Sequence, residues 1–222
     1  MTNRNIIMKR MIKIIPKSLY MLFFRYNWRR SNKHNATRAI NRFHSENVSV
    51  GKKTYGPIEI LYDSGSGKLS IGNYCSLANN VKFFLGGEHN YKKISTFPFQ
   101  TKVYSGIGAS HRNESLDIIV EDDVWIGYDC IVLAGAKIGK GSVIGARSIV
   151  TGTIPPYSVY VGNKVIKKRF SDDIIAIIRT IDFSKINHLA GDHYERYCNE
   201  EISTKNVEEI RESFEKSITT KI

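Results

Sequence analysis

A chain of 222 residues with 41% hydrophobic content carries enough apolar side chain for one or two compact units. No run approaches the roughly 20 apolar residues that a membrane span needs, and the most apolar early stretch, Leu19 to Phe24, is bracketed by Lys17 and Arg25 with no signal-peptide cleavage pattern behind it. The net charge of +12 is concentrated: eleven Lys or Arg and no acidic residue precede Glu46, leaving 22 basic against 21 acidic residues from Glu46 onward.

Residues 1–47 read as a basic, partly helical arm. Met8, Ile12, Ile15, Leu19, Leu22 and Tyr26 recur at helical spacing, while Lys9, Arg10, Lys13 and Lys17 fall largely elsewhere. Pro16 divides this pattern into two short helices. Such a segment either lies on an anionic membrane or polymer, or packs on the end of the next unit with a solvated charged face. No base-reading motif accompanies it, so nucleic acid is not an expected partner. An arm of this kind should be removable, with deletion of residues 1–45 weakening only membrane or polymer association.

From about residue 48 the grammar changes. Val120, Ile126, Val132, Ile138, Ile144 and Val150 stand six residues apart, a spacing that neither a helix nor a flat strand requires. Gly127, Gly139 and Gly145 follow directly, and the small residues Cys130, Ala136, Ser142 and Ser148 come fourth after an inward position. A repeat of six residues marks a solenoid whose stacked coils bury one continuous core. In this reading the small residue packs beside a corner and the glycine tolerates the turn. The same pattern occurs at Val50-Gly51 with Thr54, at Ile71-Gly72 with Cys75, and at Leu77-Ala78 with Val81. It fails over about residues 86–118, and a long insertion in a regular solenoid is usually functional or disordered.

Three cysteines argue against a disulfide framework and for a reducing, cytoplasmic compartment. Cys75 and Cys130 occupy small slots and read as buried apolar groups, while Cys198 has no evident partner. Residues 171–222 form a helical segment: Ser171 as N-cap with Asp172 and Asp173 precedes the stripe Ile174, Ile175, Ile178 and Ile181. A second helical pattern follows at Val207, Ile210, Phe214 and Ile218. Both are expected to cover the solenoid's open end or flank.

These hexapeptides, with Val124-Trp125-Ile126-Gly127 and the run from Val143 to Thr151, resemble the hexapeptide-repeat acyltransferases. The likeness sharpens at Gly87-Glu88-His89-Asn90 followed by Ile94-Ser95-Thr96-Phe97-Pro98-Phe99, with Thr54-Tyr55-Gly56 and Arg169-Phe170-Ser171 in support. That combination is similar to the xenobiotic acyltransferase branch, which includes chloramphenicol and streptogramin acetyltransferases and polysaccharide O-acetyltransferases. The resemblance covers roughly residues 48–182. It implies a mainly β fold, a left-handed parallel β-helix over 48–170, assembled as a homotrimer with acetyl-CoA between neighbouring prisms.

An acceptor hydroxyl attacks a thioester poorly until a base removes its proton, and a neutral imidazole is the side chain suited to that task near neutral pH. His89 is the candidate base, because only it lies in the Gly-rich loop before the Ser-Thr-Phe-Pro-Phe sequence. His111 reads as a solvated loop residue. By resemblance, Trp125 flanks the thioester end, Gly145 and Ala146 admit the pantetheine arm, and Thr151 lies along it. Lys164, Lys167, Lys168 and Arg169 then meet the phosphates. The residue-level alternative for Trp125 is a buried corner, and for the lysines ordinary solvation. The resemblance also places Tyr55, Glu59, Tyr62 and Asp63 near the acceptor end, where aromatic and acidic groups suit a polyhydroxylated ligand; the residue-level alternative for each is a solvated strand position.

Two departures stand out. The family's Gly-Asn-Pro-Ala is shortened here to Gly162-Asn163 before Lys164, which shifts the register of the phosphate contacts. Thr180-Ile181-Asp182-Phe183 replaces paired tryptophans in a region expected to pack rather than catalyse. No metal is expected: the related zinc solenoids need three histidine ligands, and only two histidines lie between residues 48 and 170. The expected activity is acetyl transfer from acetyl-CoA to a sugar hydroxyl of a surface polysaccharide, O-antigen or capsule, at the inner membrane face. The alternative acceptor is an antibiotic such as chloramphenicol or a streptogramin.

Overall fold

The computed structural model describes residues 17–63, 67–87, 89, 92–103, 116–185 and 200–219. Helix α1 (Lys17–Ser31) leads into strand β1 (Ala36–Ala39) and a 3-10 turn, Ser45–Asn47. Parallel strands then wind as a solenoid with three faces. The first face stacks β2 (Val48–Val50), β4 (Leu69–Ile71), β7 (Ile118–Val120), β10 (Lys137–Ile138) and β13 (Thr153–Ile154). The second stacks the start of β3 (Tyr55–Leu61) on β5 (Ser76–Leu77), β8 (Trp125–Ile126), β11 (Val143–Ile144) and β14 (Ser158–Val161). The third stacks the end of β3 on β6 (Lys82–Phe84), β9 (Ile131–Val132) and β12 (Ile149–Val150). This is the mainly β, left-handed parallel β-helix that the hexapeptides imply.

The six-residue spacing becomes one strand and one corner per repeat. Inward residues such as Leu69, Phe83, Ile126, Ile138, Ile144 and Val150 are fully buried. The small residues Thr54, Cys75, Cys130, Ala136, Ser142 and Ser148 are buried as well, because the corner leaves them no room to be larger. Thr54 and the two serines also satisfy backbone groups there: Thr54 Oγ1 donates to the Gly72 carbonyl at 2.7 Å and Ser148 Oγ to that of Gly145 at 2.6 Å.

The glycine after each inward residue has a different cause from the one its sequence position suggests. Gly51, Gly72, Gly127 and Gly139 do not take the left-handed backbone; a Cβ on any of them would come within 2.5–2.7 Å of backbone atoms of the next coil. Coil-to-coil contact, not the turn, excludes a side chain. The turn is made two residues later, where Lys53, Tyr74, Asp123, Asp129 and Arg147 adopt φ between 56° and 60°.

Burial suppresses the two described thiols. Cys75 is pushed up to about 12, chiefly by desolvation, and the Cys130 thiol is also raised by burial. Each Sγ–H donates to a neighbouring coil's carbonyl, Glu121 or Gly145, at 3.1 Å. In a Cys198→Ser background the folded protein should therefore leave a disulfide reagent such as DTNB unreacted over hours, then consume two equivalents on denaturation. Fast labelling in the folded state would contradict this packing. Cys198 itself lies outside the described residues, as do His111, Met8, Ile12, Ile15 and Pro16.

The two ends are closed by different elements. Residues 17–47 follow the second of the two readings and pack on the end of the solenoid: β1 pairs in parallel with β3 from Ala36↔Tyr55 to Ala39↔Ile58, adding a rung to the second face. Trp28, Ala39 and Phe43 belong to the solenoid core, with Met21 and Phe24 packed against it. Two cations of the basic segment serve β1 itself, whose outer edge would otherwise be unpaired. Arg29 donates to the carbonyls of Thr37 and Asn35 at 2.8 and 2.7 Å, and Arg25 Nε to that of Ala39 at 3.0 Å. Deleting residues 1–45 would expose core, so a surface role for this segment has to be tested by substitution.

At the other end, β14 turns back through Gly162-Asn163 into the antiparallel strand β15 (Lys164–Lys168). Helices α3 (Asp172–Ile178) and α4 (Val207–Thr219) pack through Ile174, Ile178 and Val207 on Tyr157 of the last coil. Ser171 stands at the N-cap position of α3 without a side-chain capping bond. From there the chain runs along the corner between the first and second faces rather than over the open end. Phe183 stacks near Tyr74 and lies 4.9 Å from the Lys140 ammonium, while Lys52 and Lys140 donate to the carbonyls of Ser184 and Ile181. Among the described residues, this flank covers one of the three corners and leaves the other two uncovered.

Candidate active site

The ladder is left after Phe84 and resumes at Ile118, at the corner between the third and first faces. Leu85 is buried and holds the start of the insertion to the coil. Gly86 and Gly87 then take φ of 151° and 90°, and a Cβ on Gly87 would strike the Tyr62 ring at 2.6 Å. The loop is thereby pressed onto Tyr62, whose ring lies 5.4 Å from that of Phe84.

His89 is exposed, and its Nδ1 lies 2.7 Å from the Thr96 carbonyl oxygen. A carbonyl only accepts, so Nδ1 carries the proton and Nε2 of the neutral ring keeps its lone pair. No hydrogen bond among the described residues engages Nε2. The Ser-Thr-Phe-Pro-Phe sequence supplies this orienting carbonyl from a folded turn. Ser95 Oγ accepts from the Phe97 amide at 3.1 Å, the Phe97 and Phe99 rings meet edge to face at 4.8 Å, and a one-turn helix α2 (Phe99–Lys102) follows. Two motifs separate in sequence are one unit in space: a base and the group that fixes its tautomer. Glu88 and Asn90 lie outside the described residues.

The other candidate residues divide between two corners. Thr151 and Tyr62 share with His89 the corner between the third and first faces. Trp125 stands on the second face between Ser76 and Val143, in one ladder with Tyr55 and Lys167. With 54% of its surface exposed, Trp125 is not the buried corner residue that its repeat position also allowed. Ala146 is exposed on the next corner, between the second and third faces, in a ridge with Asn79, Tyr128 and Gly162. Gly145 is held there by its neighbours: its amide donates to Tyr160 and a Cβ would meet the Val161 methyl at 2.9 Å.

Beside this ridge opens a groove of about 340 Å³ lined by Arg38, Pro57, Glu59, Asn79, Asn80 and Tyr128. Arg38 donates to Asn79 Oδ1 at 2.9 Å, and Asn80 Nδ2 to the Tyr128 hydroxyl at 3.0 Å. Sequence reading placed Glu59 near an acceptor; Arg38, Asn79, Asn80 and Tyr128 were missed, because no motif marks a groove assembled from two strands and two successive corners.

Two assignments change. Asp63 is occupied: its carboxylate accepts from the His44 amide at 2.6 Å and lies 2.9 Å from His44 Nδ1, with its side chain 9% exposed. These contacts anchor the entry to β2. Arg169 does not lie with the three lysines of β15. Its guanidinium donates to the Gly141 carbonyl at 2.5 Å, lies 3.7 Å from Asp123 and stacks 5.0 Å from the Phe170 ring. It ties the flanking segment to the corner between the first and second faces. Burial raises the Asp123 carboxyl despite the opposing pull of Arg169, so the pair is a structural clamp. Lys164 and Lys167 remain exposed on β15, and Lys168 is paired with Asp172.

Residues 117–152 match the family described as bacterial transferase hexapeptide (six repeats). The chain is 36% identical over 139 residues to a probable macrolide acetyltransferase of Lysinibacillus sphaericus, covering 60% of this chain and 77% of that protein. It is 35% identical over 127 residues to a chloramphenicol acetyltransferase of Agrobacterium fabrum, where the match covers 54% of this chain and 60% of the relative. Among solved structures it is similar to a maltose O-acetyltransferase from Clostridium difficile 630, with 30% identity, a TM-score of 0.45, and coverage of 63% of this chain and 68% of that one.

Proposed function

We propose a function from one premise: the chain belongs to the hexapeptide-repeat acetyltransferases. It transfers an acetyl group from acetyl-CoA to the hydroxyl of a saccharide, with His89 as general base. The observation that carries this reading is the His89–Thr96 pair, which leaves Nε2 basic in a loop set between two coils. Nε2 removes the acceptor's hydroxyl proton as the oxygen adds to the thioester carbonyl. The tetrahedral intermediate then collapses, the C–S bond breaks, and the departing thiolate takes the proton back from Nε2. Throughout, the Thr96 carbonyl stabilises the imidazolium through Nδ1–H.

The division of candidate residues between two open corners supports a site shared between copies. A pantetheine arm running along one corner cannot touch both Ala146 and Thr151, which lie one whole face apart. Two prisms side by side would bring the His89 corner of one against the Trp125–Ala146 ridge of its neighbour. A homotrimer closes such contacts in a ring, with the flanked corner of each copy left outside. Lys164 and Lys167, beyond the last coil, suit the phosphates at the far end of the arm.

The groove beside the ridge favours a saccharide acceptor. Its guanidinium, carboxylate, two amides and phenol offer donors and acceptors in the density that a polyhydroxylated ring requires. A second reading, an antibiotic acceptor, is favoured by the chloramphenicol and macrolide acetyltransferases among the chain's relatives. Release of free CoA thiol distinguishes them. With acetyl-CoA present, thiol release is expected on adding surface glycans and not on adding chloramphenicol, a macrolide or a streptogramin. Release with a drug alone would replace the saccharide, and release with none of these acceptors would remove acetyl transfer to either class.

A further inference from the structure

Helix α1 is apolar on two opposite faces. Met21, Phe24 and Trp28 lie on the face that packs against the solenoid core. Leu19, Leu22, Phe23 and Tyr26, spaced at i, i+3, i+4 and i+7, form the other, and they are 55%, 60%, 63% and 63% exposed. Single exposed apolar residues are ordinary, but four on one helix face form a patch that calls for a partner. They include Leu19, Leu22 and Tyr26, the described half of the stripe that the sequence periodicity picks out.

We propose that this outward face of α1 docks on an anionic lipid surface. The charge around it selects that occupant. Arg30 is exposed at the C-terminal end of the same face, Lys33 is exposed in the turn that follows the helix, and no acidic residue precedes Glu46 anywhere in the sequence. A second copy meeting this face through its own α1 would bring cation against cation, whereas phosphate headgroups supply the missing charge and acyl chains the apolar contact. The helix has 15 residues, and among the described residues no helix is long and apolar enough to cross a membrane. It therefore lies in the interface plane, with the solenoid behind it held by Trp28. The aromatic Tyr26 and Phe23 suit the headgroup level.

Co-sedimentation of the full chain with vesicles tests this independently of any acetyl transfer. Wild-type protein should pellet with phosphatidylglycerol–phosphatidylcholine vesicles and stay in solution with phosphatidylcholine alone. Leu22→Gln with Phe23→Gln should lower partitioning by roughly tenfold or more, since both side chains leave the acyl boundary. Arg30→Gln with Lys33→Gln should lower it by a similar factor on anionic vesicles. All four positions are exposed, so unchanged far-UV circular dichroism is expected. Failure of the wild type to pellet, or equal pelleting of both variants, would overturn the proposal. So would a fall in oligomer mass for the Leu22–Phe23 variant with pelleting unchanged, which would assign the face to another copy.

Discussion

Replacing His89 with Ala should lower turnover on the order of 10²- to 10⁴-fold, the range by which a positioned base usually assists, while leaving CoA affinity within about twofold. The split between the two readouts follows from the structure. His89 sits in a loop pressed on Tyr62 at one corner, whereas Trp125, Ala146 and the β15 lysines stand one face away. Gln at position 89 is a sharper control, because its amide can still hydrogen-bond the Thr96 carbonyl but offers no basic nitrogen. It should be as inactive as Ala, with equal loss in kcat and kcat/KM. If His89→Gln kept more than about a tenth of wild-type turnover, orientation and not basicity would be the contribution of this residue, and the base would have to be sought elsewhere.

The His89–Thr96 pair also shows how far a sequence can be read. The two motifs carried a family resemblance, but the atoms that join them depend on how seven residues fold back, and periodicity says nothing of that. The coils were legible because burial imposes a constraint every six residues: an inward Leu69 or Ile144 and a buried Cys130 or Ser148 cannot be exchanged freely. β1 was not legible for the opposite reason. Ala36-Thr37-Arg38-Ala39 has no repeat grammar, and its place in the ladder is secured by backbone pairing with β3 and by carbonyls that Arg25 and Arg29 cover. The same two arginines make the basic segment look like a detached arm when counted as charge. Arg169 misled in the same way, since a cationic cluster at 164–169 does not reveal that its last member turns to another corner.

The largest expected effect on stability follows from β1 and α1. Trp28→Ala should destabilise the fold by about 3–5 kcal/mol, the usual cost of emptying a large aromatic site in a core. Trp28 is 3% exposed, its ring meets Phe43 edge to face at 5.2 Å, and its Nε1 donates to Thr37 Oγ1 at 3.2 Å. That hydroxyl in turn donates to Asn35 Oδ1 at 2.7 Å, and both Thr37 and Asn35 are buried. Removing the indole thus opens a cavity beneath the first coil and takes one donor from a buried polar chain. Trp28→Phe should recover much of the packing without the indole donor and fall between the two. Leu22→Ala, on the opposite face of the same helix, should shift the unfolding midpoint by no more than about 0.5 kcal/mol. Urea midpoints at one fixed protein concentration would measure all three, since assembly adds its own stabilisation. A Trp28→Ala midpoint equal to wild type would restore the detached-arm view. The expected large shift instead makes α1 the solenoid's first cap, which is why its other face can be offered to a membrane without unfolding the enzyme behind it.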